Sequence, residues 1–180
     1  MPKGNRGYAG RLAVVIWMTA LLTATAGWCA ESRADKPAFD TTKERIGTLH
    51  LGMAAAKVDS DVTCPVQKFR ERFEAATGEY VQNWKMPDCG LELKMSAPRR
   101  KGPQTVAAVT VTAPSELATS RGIHIGSTEA EVQAAYGDVR DEEGMSEAGR
   151  NFVAGSIYGG LMFDFENGVV KSMFLGAAAE

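Results

Sequence analysis

The chain is poor in the residues that carry most enzyme chemistry. It holds 2 histidines and 3 cysteines in 180 residues. No CxxC pair occurs, so neither a zinc framework nor a dithiol redox motif can be read from the spacing. There is no glycine-rich phosphate loop and no dinucleotide fingerprint. Ser127 and Ser156 lack the GxSxG setting of a nucleophile elbow. No basic excess is present either, with 20 Lys and Arg against 22 Asp and Glu, which argues against nucleic acid as the main partner. These gaps lead to the expectation of a non-enzymatic protein with no catalytic residue, no metal and no cofactor.

The N-terminus has its own order. Lys3, Arg6 and Arg11 form a basic region, an apolar run follows from Leu12 to Leu22, and small residues appear at Ala24, Ala26 and Gly27. That order reads as a secretory signal peptide, and the apolar run is short for a membrane span. Cleavage is expected after Ala26, with Cys29 and Ala30 as alternative positions. Ala26 to Cys29 also resembles a lipobox, although Trp28 is bulky where such signals take Gly or Ala. An acyl chain on Cys29 would be a weak anchor by itself. Residues 1–30 contain three of the basic residues and none of the acidic ones, so the remainder carries 17 against 22 and is mildly acidic. Exported chains meet an oxidising compartment, so Cys64 and Cys89 are expected to pair. Arg99, Arg100 and Lys101 precede Gly102-Pro103 and read as a solvated loop.

The body shows self-similarity. Leu49-His50-Leu51-Gly52 and Ile123-His124-Ile125-Gly126 lie 74 residues apart, with Val58 and Val132 in the same register. A meander follows each: Tyr80–Trp84, Gly90–Met95 and Val106–Val111 in the first, Phe152–Tyr158, Leu161–Phe165 and Val169–Leu175 in the second. Alternating runs separated by Pro87-Asp88, Gly159-Gly160 and Asn167-Gly168 carry the hairpin signature. Thr128-x-x-Glu131 fits a capping box opening a helix that Gly137 ends. In the first half the helix after Gly52 breaks near Cys64-Pro65 and is expected to resume over 66–76, with Phe69 and Phe73 four apart on a buried stripe. The expected fold is thus α+β: two tandem repeats, each a short lead strand, a helix and a three-stranded antiparallel meander, with helices on one side. The segments are a signal peptide over 1–30, a flexible stretch over 31–45, repeats over 46–113 and 121–180, and a linker over 114–120.

The stretch from Gly122 to Gly137, with the meander after it, resembles the beta-lactamase-inhibitor-protein type of repeat. It is similar to the single unit in the small outer-membrane lipoprotein of the barrel-assembly machinery. The final stretch from Ser156 is similar to exported bacterial proteins. The resemblance implies two sheets side by side with an open face, which the inhibitor family uses to grip an enzyme. No inhibitory residue can be carried across.

The expected function is therefore that of an exported module of the bacterial envelope that binds another protein, of the inhibitor kind. The alternative is an envelope assembly scaffold anchored through Cys29, the only case in which membrane contact is expected. Tyr80, Gln82 and Trp84 should share one strand face, and Tyr158 aligns with Trp84 in the second half. The expected interface is an aromatic platform of Tyr80, Trp84 and Tyr158. His50 and His124, each between apolar neighbours, are expected to point outward without forming a site.

Overall fold

A computed structural model describes residues 38–141 and 145–178. The segment read as a signal peptide, its expected cleavage point, Cys29 and the first part of the 31–45 segment lie outside the described residues.

Eight strands form one antiparallel sheet. They are β1 (Gln67–Lys68), β2 (Arg72–Glu74), β3 (Glu79–Met86), β4 (Leu91–Ala97), β5 (Thr105–Thr112), β6 (Asn151–Ser156), β7 (Gly159–Glu166) and β8 (Val169–Gly176). The order across the sheet is β1-β3-β4-β5-β8-β7-β6, with β2 also on the outer edge of β3. Among the described residues the α-helices are two and short, α1 (Ala55–Asp61) and α2 (Glu129–Tyr136).

The tandem α+β arrangement is corrected by this architecture. β5 pairs with β8 over Val109–Thr112, which fuses the two meanders into one sheet. The protein is predominantly β, and the expected lead strands are turns joined to the rest by isolated bridges. The helix expected over 66–76 is replaced by β1 and β2. Those short strands pair with β3 at Lys85 and Trp84 and then at Val81 to Glu79. Without them β3 would present a row of unpaired N–H and C=O groups, which a sheet edge must cover or blunt. Phe69 and Phe73 fit the period of a helix as well as they fit edge strands, and pairing decides the outcome.

One face of the sheet is the core. The register aligns Trp84 with Leu93, Leu93 with Val109, Val109 with Leu175 and Leu175 with Leu161. All five side chains are buried, and cross-strand partners lie on the same face. Val58 from α1 and Val132 and Tyr136 from α2 close over this layer. Each fully buried aliphatic or aromatic side chain contributes about 1.5–3 kcal/mol, so this layer holds the sheet together. The opposite face carries Asn83, Lys94, Thr110, Phe174 and Met162, each half-buried.

Local signals hold well in places. Thr128 caps α2 with the full capping box, its hydroxyl accepting the Glu131 N–H. Ser127, next to the cap, is buried and accepts the His124 N–H. Asn167 and Gly168 both take positive φ, the geometry of a tight hairpin turn. The turn between β6 and β7 is Ile157-Tyr158; Gly159 and Gly160 already belong to β7.

Gly52 and Gly126 stand at matching turns before the two helices. Gly52 N–H donates to Val106 O and Val106 N–H to Met53 O; Gly126 N–H donates to Val170 O and Val170 N–H to Ser127 O. Both glycines need positive φ, +78° and +91°, with open space where a side chain would stand. The constraint is therefore backbone conformation, not crowding.

The 114–120 segment read as a linker is pinned. Thr119 is buried and bridges Ile46. The buried Glu44 carboxylate accepts N–H from Arg45 and Ser120 at 3.0 Å and the Tyr136 hydroxyl at 3.2 Å. Burial first, and the adjacent Glu44 charge after it, push the Tyr136 phenol up to about 12. Glu44 thus ties the segment before Ile46, at the end of the stretch read as flexible, to Ser120 and α2.

Candidate functional site

The structure separates the three residues of the expected platform. Tyr80, Gln82 and Trp84 do share one face of β3, as their spacing required. That face is the core face, and Trp84 is 2% exposed. Tyr158 is 67% exposed on the β6–β7 turn, five strand positions away, roughly 24 Å at ordinary strand spacing. Tyr80 is half-buried beside Phe73, with ring centroids 5.3 Å apart.

The aromatic surface forms around Phe73 and Phe69, which are 57% and 48% exposed. Residues 69–71 interrupt the strand pairing between β1 and β2, although the Phe69 N–H still donates to Asn83 O of β3 at 2.9 Å. A chain of polar contacts holds the bulge. Trp84 Nε1–H donates to Gln82 Oε1 at 2.8 Å, and Gln82 Nε2 donates to Phe69 O at 2.6 Å. The Gln82 amide thereby uses both ends, one on the core and one on the surface loop. Lys68 Nζ stands 3.6 Å from the Trp84 ring centre and donates to Asp59 of α1 at 3.0 Å. Trp84 therefore serves the surface indirectly, by orienting Gln82.

The turn between β4 and β5 meets the bulge. Lys101 N–H donates to both Glu71 carboxylate oxygens, at 3.2 and 3.1 Å. Between the two segments lies a cleft of about 440 Å³ lined by Arg70, Glu71, Gln82, Arg100, Lys101 and Gln104. A neighbouring hollow shares Arg70, Glu71 and Arg100 and extends to Arg72, Phe73 and Tyr80. The tripeptide 99–101, read as a solvated loop, is one wall of this cleft. Arg70 and Arg72 were missed because a helix over 66–76 would have spread them around its circumference. In strand geometry the alternation of Phe69 to Phe73 was the available signal.

Other features lead elsewhere. His50 and His124 each donate from Nδ1 to the following carbonyl, Leu51 O at 2.9 Å and Ile125 O at 2.8 Å. A carbonyl can only accept, so the proton is on Nδ1 in both rings. Among the described residues no group of three His, Cys, Asp or Glu could hold a metal ion. No described helix is long and apolar enough to cross a membrane. Cys64 and Cys89 are disulfide-bonded, with Cα atoms 6.3 Å apart. A hollow of about 360 Å³ beside them has Leu49, Val62 and Leu91 among its walls and Asp88 and Glu116 on its rim.

The chain matches no protein-family model, no curated protein and no solved structure. Geometry alone therefore carries the functional argument.

Proposed function

We propose that the chain is an exported, non-enzymatic module of the bacterial envelope that binds another protein through the aromatic–arginine end of its sheet. The observation that carries this is the pair Phe69 and Phe73, about half exposed on the bulge and on the adjoining edge strand β2, with Tyr80, Arg70 and Arg100 beside Phe73. Large aromatics and arginine are the residues that anchor protein interfaces, because they bury much area for little rotamer entropy. The Gln82 bridge from Trp84 preorganises the bulge, which lowers the ordering cost of binding. The Cys64–Cys89 disulfide suits an oxidising compartment and supports export.

Photo-crosslinking in the producing cells tests this reading. A benzophenone side chain placed at Phe73 should trap a discrete protein, and one placed at Glu166 on β7 should not. Equal crosslinking at both positions, or none at Phe73, contradicts the assignment.

A further inference from the structure

We propose that the cleft between the β1–β2 bulge and the β4–β5 turn is a carboxylate-binding site that receives an acidic segment of the partner protein. The inference rests on the protein-binding reading above and assigns the chemistry of the contact.

The argument begins with charge matching. Lys57, Lys68, Lys85, Lys94, Arg121, Arg150 and Lys171 each reach a carboxylate within 3.1 Å. The side chains of Arg70, Arg99, Arg100 and Lys101 are exposed and have no carboxylate partner among the described residues. Arg70 from one segment and Arg100 and Lys101 from another meet in this cleft, while Arg45, also without a carboxylate partner among the described residues, lies apart from it beside Glu44. Such a cluster raises the local concentration of an anionic partner and speeds encounter.

The shape of the site selects among anions. A guanidinium fork meets a carboxylate in a planar, bidentate pair. Gln82 and Gln104 line the same cleft, with side-chain amides able to donate further hydrogen bonds. Glu71 is also in the cleft, fixed by the Lys101 N–H. Its negative charge penalises a phosphate, which carries nearly two charges, more than a carboxylate, which carries one. The flanking Phe73 and Tyr80 give an apolar border that a peptide backbone with mixed side chains can cover. A nucleic-acid strand would instead need a basic track longer than this one cleft.

An oligoglutamate peptide labelled with a fluorophore is the probe, titrated against the protein at low salt. Binding should weaken as salt rises. The double variant Arg70→Glu, Arg100→Glu should lower affinity roughly tenfold or more, and Arg70→Gln, Arg100→Gln should fall between. Lys171→Glu, on the far strand β8, should bind as the parent does. Arg70 and Arg100 are exposed and have no carboxylate partner among the described residues, so their variants should melt with the parent. Parent-like peptide binding by the charge-reversed variant overturns the proposal. Tighter, arginine-dependent binding of inorganic polyphosphate or of vesicles rich in anionic lipid also overturns it. Failure here is separable from failure of the protein-binding reading. A partner crosslinked at Phe73 whose affinity ignores the arginine reversals removes the acidic segment and keeps the interface. Arginine-dependent peptide binding without any crosslinked partner keeps the cleft and removes the interface.

Discussion

Trp84→Ala tests the link between core and surface. The indole is 2% exposed, faces Leu93 across the ladder and donates to Gln82. Truncating a buried Trp to Ala costs about 3–5 kcal/mol through lost transfer energy and the cavity left behind. The lost N–H leaves Gln82 Oε1 without its donor, and part of that cost falls inside the same range. Against a total stability of about 5–15 kcal/mol, the variant should remain folded but unfold at markedly lower urea. The assay is urea unfolding of the oxidised protein, followed by far-ultraviolet circular dichroism. Trp84→Phe separates the two contributions. It keeps most of the bulk, removes the N–H and should cost about 1–3 kcal/mol. With the Gln82 bridge undone, the bulge should loosen, and amide exchange at residues 69–71 should speed up. A loss below about 1 kcal/mol for Trp84→Ala would refute the placement of the indole in the core.

Other expectations follow from single features. Reducing the Cys64–Cys89 bridge releases a loop spanned by 25 positions and should cost roughly 3 kcal/mol by chain entropy; unchanged urea unfolding after reduction would contradict it. Gly126→Val should destabilise by more than Gly126→Asn, because asparagine tolerates positive φ and a β-branched residue does not; equal melting of the two would mean that φ is not the constraint. Tyr136 has its folded pKa raised to about 12, so the neutral phenol is favoured on folding. That stability is complete below the ordinary tyrosine value of about 10 and declines as pH rises toward the folded value. Ultraviolet titration should show one tyrosine ionising late, with unfolding setting in over the same interval; a Tyr136 that titrates with the others would remove the Glu44–Tyr136 contact.

Much of the sheet was legible. Six of the eight strands stand within a few residues of where alternation put them, because one buried face forces period two on Leu91–Ala97 or Val169–Gly176. The Thr128 cap was legible because its partner lies only three residues on. Long-range pairing was not. Nothing local says that β5 adds to β8, or that residues 67–74 complete the free edge of β3. The same gap hid the site. Parity placed Tyr80, Gln82 and Trp84 on one face, yet which face α1 and α2 would cover depends on contacts far along the chain. Arg70 and Arg100 are 30 positions apart and share a cleft only because β3 and β4 bring their ends together.

The most direct test measures the affinity of the protein trapped at Phe73 for the parent, for Phe73→Ala and for Tyr158→Ala, with melting recorded on each. The account predicts that Phe73→Ala weakens binding by about 2 kcal/mol, near 30-fold, at unchanged melting temperature, and that Tyr158→Ala, on the opposite edge of the sheet, binds like the parent. Full affinity in Phe73→Ala, or a loss in Tyr158→Ala alone, would contradict the placement of the interface at the aromatic–arginine end.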